Sequence, residues 1–237
     1  MKSMTFELDG KKVRIFPGTP GCPEIYLNSF ADEGEKIFCE LHAAPCPEHS
    51  LIVVNGLNWE DDMTPWYCPP LFSDGTPCGG KAEEYGAWMK ETLLPAARQQ
   101  LGGKGLYAAI AGYSLAGLFA VYSLYHSDIF DRAASVSGSL WYPELLPYLA
   151  SHSLSRKPSC LYFSIGAKEK NTRNRRLKCV EENTEAIVEM FRKQGIETFM
   201  ELNPGNHYKD SEKRTARGIR WILTHGNGMG KDCGDEG

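Results

Sequence analysis

At 237 residues, with 24% charged and 42% hydrophobic side chains, the chain is long enough for one α/β domain with a substantial core and too short for two. A net charge of −4 offers no cationic excess to hold a phosphate backbone, which argues against a nucleic-acid partner. No stretch is long and apolar enough to span a bilayer, and the opening MKSMTFELDGKKVRIF carries no apolar run behind its positive charge, so neither a membrane partner nor a leader is expected.

The eight cysteines include no C-x-x-C pair. Free thiols and a cytoplasmic location are the reading, with no metal site. Cys68 and Cys78 with a nearby histidine would be the candidate zinc ligands, but their spacing is irregular.

Residues 5–8 and 12–16 alternate around Asp9-Gly10, a turn dipeptide, and predict an antiparallel hairpin at one edge of a sheet. A strand is expected at 22–27. Asp32 then stands as N-cap of a helix that buries Ile37, Phe38 and Leu41 and ends before Pro45. The β-branched run 51–54 reads as a central strand covered on both faces. It leads into Asn55-Gly56-Leu57-Asn58-Trp59 and then into residues 60–80, rich in Pro, Gly, Asp and aromatics and without periodicity. Loops of that length are commonly functional. Trp59, Trp66, Tyr67 and Phe72 would either wall a substrate pocket or pack the loop against itself.

Residues 82–100 predict a long helix with Tyr85, Trp88, Met89, Leu93 and Leu94 on one side and a kink at Pro95. The apolar run 106–110 then stops at Gly112-Tyr113-Ser114-Leu115-Ala116-Gly117 and gives way to helical spacing in Leu118, Val121, Tyr122 and Tyr125. Strand, sharp turn and helix are the context that G-x-S-x-G requires for a nucleophile elbow. Ser114 is therefore the candidate nucleophile. The Leu115 N–H opens the helix, where unpaired donors and the positive dipole end suit an oxyanion. A second donor is expected from a loop after an earlier strand, with Leu57 first and Asn58 next.

Further strands are expected at 133–136, 160–165 and 197–202. The turn Ser137-Gly138-Ser139 and the rings of Trp141 and Tyr142 follow the first of these at the ligand-binding end of the sheet, and only a short helix, 143–150, fits before the next strand. A serine needs a base and a base needs an orienting carboxylate, in the chain order Ser, acid, His. His207 lies in Asn203-Pro204-Gly205-Asn206-His207-Tyr208, a turn between the last strand and a helix at 212–223. His152 falls in a polar connector and His225 near a Gly-rich end. Glu169 is the first carboxylate after the strand at 160–165, and its alternative reading is a solvated charge beside Arg173 and Arg175. One domain, 1–225, with a flexible tail at 226–237, is the expected organisation.

With GYSLAG, NGLNW, PGNHY and the short interval after the elbow strand's neighbour in hand, the chain resembles the putative-esterase family of the α/β-hydrolase superfamily. That group contains esterase D and the enterochelin esterases. The resemblance implies an α/β-hydrolase fold, a mostly parallel central sheet with helices on both faces and minimal or no lid. It implies Ser114 as nucleophile, His207 as base and the N–H groups of Leu57 and Leu115 as oxyanion donors. Glu169 is carried over as the acid, although Lys168-Glu169-Lys170 stands where many relatives have an Asp.

The expectation is a serine esterase acting through an acyl-enzyme on a small-molecule ester, with no metal or organic cofactor and with homo-oligomerisation left open. The alternatives are an acyltransferase or thioesterase on the same site and an inactive binding protein on this scaffold. Trp59, Trp66, Tyr113, Trp141 and Tyr142 are the expected substrate contacts. Crowding by Trp141, Tyr142 and the aromatic loop from Trp59 to Phe72, without room for a lid after residue 136, predicts a preference for acetyl to butyryl groups.

Overall fold

The computed structural model describes residues 3–226, so the expected tail lies, beyond Gly226, outside the described residues. Strands β1 (Met4–Leu8) and β2 (Lys11–Phe16) form the expected hairpin, with Met4 opposite Ile15. Asp9 and Gly10 both take positive φ, 49° and 76°, as a type I′ turn requires. The remaining strands are β3 (Glu24–Asn28), β4 (Ser50–Asn55), β5 (Ala108–Tyr113), β6 (Phe130–Val136), β7 (Cys160–Gly166) and β8 (Glu197–Asn203). They build one eight-stranded sheet in the order β1-β2-β4-β3-β5-β6-β7-β8. Its neighbours are antiparallel on both sides of β2 and parallel everywhere from β4 to β8.

The central strands are buried along their whole length because helices cover both faces. Helices α1 (Gly34–His42) and α9 (Ser211–Thr224) pack on one face, over Ile25, Leu27, Leu51, Val53, Ala109 and Ala111. The other face, with Tyr26, Ile52, Val54, Ile110 and Phe163, carries α3 (Ala82–Trp88), α4 (Leu94–Leu101), α5 (Leu115–His126), α6 (Leu145–Ser151) and α8 (Val180–Lys193). Two short turns, α2 (Trp59–Asp62) and α7 (Arg175–Lys178), lie at the carboxyl end of the parallel strands. Among the described residues no helix is long and apolar enough to cross a membrane.

Three expectations are corrected. Asp32 does not cap α1; it pairs with Lys12 at 3.2 Å, while the helix starts at Gly34 after Glu33 with no side-chain cap. Packing sets that start, since a Cβ at Gly34 would come within 2.8 Å of a Val53 methyl. The helix predicted at 82–100 is interrupted by a π turn, Met89–Leu93, and Pro95 becomes the second residue of α4. The wider turn just before Pro95 accommodates the residue that lacks an N–H and replaces the expected simple kink. The elbow strand starts at Ala108 rather than 106, with Leu106 left 63% exposed, and runs on through Gly112 and Tyr113 to the nucleophile turn.

Candidate active site

Between β5 and α5, Ser114 takes φ 59° and ψ −123°, a strained backbone for any residue with a Cβ. Its surroundings fix it there. The Ser114 N–H donates to Val136 O at 3.2 Å, and the Ser114 carbonyl accepts from Gly117, Leu118 and Ser139 at 3.0, 3.1 and 2.9 Å. The flanking glycines are needed for space. A Cβ at Gly112 would overlap the Ala116 backbone, and one at Gly117 would meet Gly138 Cα at 2.9 Å. The tight sequence thus forces a turn that lifts the Ser114 hydroxyl above the sheet.

His207 comes from the turn after β8 and bridges two groups far apart in sequence. Its Nδ1 lies 2.8 Å from Glu169 Oε2, and its Nε2 lies 3.1 Å from Ser114 Oγ. A carboxylate only accepts, so the ring proton sits on Nδ1 and Nε2 is left to accept the Ser114 O–H. Tyr113, the residue before the nucleophile, donates its hydroxyl to the His207 carbonyl and so ties the histidine turn to the elbow. Burial works to raise the Glu169 pKa, but hydrogen bonds and charge from His207, with the Gly166 N–H at 2.7 Å, outweigh it and hold the carboxyl below its ordinary value. Glu169 is 5% exposed, which excludes its reading as a solvated helix charge.

Two groups at this site escaped the sequence reading. Arg214 on α9 is 1% exposed and lies 3.6 Å from Glu169 Oε1, donating also to Ser137 Oγ at 3.2 Å and Pro204 O at 2.9 Å. Its signal was present: Arg214 shares the apolar stripe of α9 with Thr215, Gly218, Ile219 and Ile222, where a lone charge demands a buried partner. The second is the Phe30 N–H. Spatial order places β3, not β4, next to β5. Ser29, directly after β3, spends its N–H on Val54 O, and Ala31 donates to Glu33 Oε2. The Phe30 N–H between them has no acceptor among the described residues, and Phe30 lines the cavity with Ser114 and Leu115.

Leu57 and Asn58 follow β4, one strand further out. Two strand spacings amount to about 10 Å, and neither residue lines the cavity. Asn58 is occupied in the α2 turn, donating from its N–H to Asp62 and from Nδ2 to Asp61 at 3.0 and 2.8 Å.

The cavity above Ser114 has a volume of about 750 Å³. Trp59, Tyr113 and Trp141 line it, and so does Phe72. Trp66 and Tyr142 do not: Trp66 donates Nε1 to Pro143 O at 3.1 Å between the rings of Tyr122 and Tyr148, and Tyr142, 1% exposed, donates its hydroxyl to Trp66 O. Each ring's polar edge is satisfied by the other's segment, which holds both in the wall behind the cavity. Tyr67 is 67% exposed and lies outside it. His152 and His225 stack on Tyr148 and Trp221, away from the elbow. Cys68 and Cys78 face each other in an isolated antiparallel bridge, and among the described residues no group of three or more His, Cys, Asp or Glu could hold a metal ion.

In comparison with known proteins, residues 46–210 match the family described as Putative esterase. The chain is similar to the protein YbbA of Bacillus subtilis (strain 168), 22% identical over 214 residues that cover 85% of this chain and 86% of that one. Among solved structures it is similar to an IroE-like serine hydrolase from Shewanella oneidensis, with 19% identity, a TM-score of 0.76 and coverage of 94% of this chain and 80% of the other. It is also similar to the siderophore hydrolase EstA from Aspergillus nidulans, with 18% identity, a TM-score of 0.71 and 94% of both chains covered. Similarity at these identities establishes the fold, the α/β-hydrolase arrangement expected from the sequence.

Proposed function

The chain belongs to the Putative esterase family, and from that premise we propose that it hydrolyses a carboxylic ester through an acyl-enzyme carried on Ser114. The observation that carries this reading is the unbroken hydrogen-bonded chain from Ser114 Oγ through His207 to Glu169, at 3.1 and 2.8 Å. In the first half-reaction Ser114 Oγ attacks the ester carbonyl while His207 Nε2 takes its proton. Glu169 holds the imidazole in the required tautomer and balances the imidazolium that forms. The tetrahedral oxyanion lies between the Leu115 N–H, at the start of α5, and the Phe30 N–H, which takes the place first given to Leu57. His207 then returns the proton to the departing alkoxide, and the C–O bond to the alcohol breaks. In the second half-reaction water repeats the sequence and releases the acid.

A scaffold that had lost turnover would lack one of the three groups, and the contact between Glu169 and His207 speaks against that alternative. The proposal is tested by turnover of p-nitrophenyl acetate. Ser114→Ala and His207→Ala should each lose at least about a thousandfold in kcat. Retention of wild-type turnover in either variant would refute it. An added alcohol should not outcompete water for the acyl group; if it did, the enzyme would be an acyltransferase.

A further inference from the structure

On its α1/α9 side the cavity mixes Leu27 and Ile37 with Glu33, Ser211, Glu212 and Thr215, and the triad fixes which part of an ester goes where. His207 reaches Ser114 from the α1/α9 face, where Tyr113 packs. The leaving oxygen must lie beside His207 Nε2 to receive its proton, so the acyl group of the tetrahedral intermediate points away from it. On that opposite side the lining changes to Leu71, Phe72, Cys78, Trp141, Leu177 and Val180. Cys78, Trp141 and Val180 belong to the core of the α5/α8 face, with Leu71 and Leu177 packed against it.

This apolar side has a roof, and the roof is fastened at its neck and along its first arm. Its neck is the pair of hydrogen bonds between Cys68 and Cys78, 3.1 and 2.9 Å, supported by Gly79 N–H to Glu60 O, Gly80 N–H to Thr64 Oγ1 and Lys81 N–H to Asp61 O. Its first arm is held from across the cleft. Arg176 Nη1 donates to Pro69 O at 2.8 Å, and Asn174 Nδ2 donates to Leu71 O at 3.0 Å. A loop without periodicity is thereby fixed over Trp141, Leu177 and Val180 by side chains more than a hundred residues away.

We propose that this roofed side is the acyl site, that it takes an apolar acyl group larger than butyryl, either a medium-length chain or a ring, and that Arg176 and Asn174 are positioning residues that hold its roof. The proposal rests on the ester-hydrolase reading above and replaces the short-acyl expectation. That expectation took Trp141, Tyr142 and the aromatic loop from Trp59 to Phe72 as walls crowding the nucleophile, whereas Trp66 and Tyr142 pack behind the cavity instead. Each methylene placed against an apolar wall leaves water and gains, so a lined chamber rewards length until it is full.

The test compares p-nitrophenyl acetate with p-nitrophenyl hexanoate, which share a leaving group. The wild type should show kcat/KM at least tenfold higher for hexanoate. Leu177→Trp, which fills the chamber, should lower the hexanoate-to-acetate ratio at least tenfold. Arg176→Ala should raise KM for hexanoate more than for acetate with little change in kcat, and Arg176→Lys should recover part of the loss. Should Leu177→Trp fail to fold, the Arg176 pair decides. A wild-type hexanoate value no higher than that for acetate, or a ratio unmoved by these variants, overturns the acyl site while acetate turnover still upholds the esterase reading. Absence of turnover on every ester, acetate included, overturns both.

Discussion

Arg214 Nη1 lies 3.6 Å from Glu169 Oε1, with the two side chains 1% and 5% exposed, so the carboxylate that orients His207 is itself held by a buried cation. Removing one partner of such a pair strands the other without water, at about 3–5 kcal/mol. Arg214→Met should therefore lower stability by that order and reduce kcat more than it raises KM, because the loss acts through Glu169. Arg214→Lys should recover less than half of the stability, since an ammonium cannot also reach Ser137 Oγ and Pro204 O in a fork. Urea denaturation with steady-state kinetics checks this. A change of under about 1 kcal/mol for Arg214→Met would show that the pair contributes little.

Glu169→Gln should cost about a hundredfold to ten-thousandfold in kcat, because an amide N–H facing Nδ1 favours the tautomer that puts the proton on Nε2, where it blocks the Ser114 O–H. Full activity in the variant would assign the orienting role elsewhere.

The same residue predicts a stability signature. The Glu169 carboxyl titrates below its ordinary value in the folded protein. Its contribution is therefore complete above the unfolded value, about 4.3, and is lost as pH falls through the lower folded value. The difference in unfolding free energy between wild type and Glu169→Gln should be largest near neutral pH and shrink as the solution is acidified below pH 4.3. A difference constant over that range would contradict the assignment.

The oxyanion pair is open to a backbone test. Phe30→Pro deletes the N–H proposed as the second oxyanion donor and should lower kcat by about a hundredfold to a thousandfold, with KM changing far less. Leu57→Pro deletes an N–H one strand further away and should leave kcat within about threefold. Circular dichroism and a melting curve verify that each variant is folded. The reverse ranking would restore the loop after β4 as the second donor.

Much of this was legible before folding. The Gly112-Tyr113-Ser114-Leu115-Ala116-Gly117 turn, His207 and Glu169 could be read because local turn chemistry and the order of strand ends determine them. What the sequence withheld was spatial order. The runs at 22–27 and 51–54 look alike as strands, and nothing local tells that the earlier one lies beside β5 while the later one crosses to its far side. That is why the sequence reading reached for Leu57, after β4, and passed over Phe30, which follows the strand beside β5 and lines the cavity. Likewise Trp66 and Tyr142 sit near pocket residues in sequence, yet hydrogen bonds from Tyr142 to Trp66 O and from Trp66 to Pro143 O hold them in the wall behind it. Arg214 was readable in principle as a charge in an apolar stripe, but its partner lies 45 positions earlier, at Glu169, beyond any local pattern.

The most direct test of the account is the site of covalent labelling by a fluorophosphonate, which reports a serine activated by a neighbouring base. Intact mass and peptide mapping of the full chain should show one adduct, on Ser114, absent from Ser114→Ala and formed at least a hundredfold more slowly in His207→Ala. Label on Ser137 or Ser139, or a chain that remains unlabelled, would contradict Ser114 as the nucleophile.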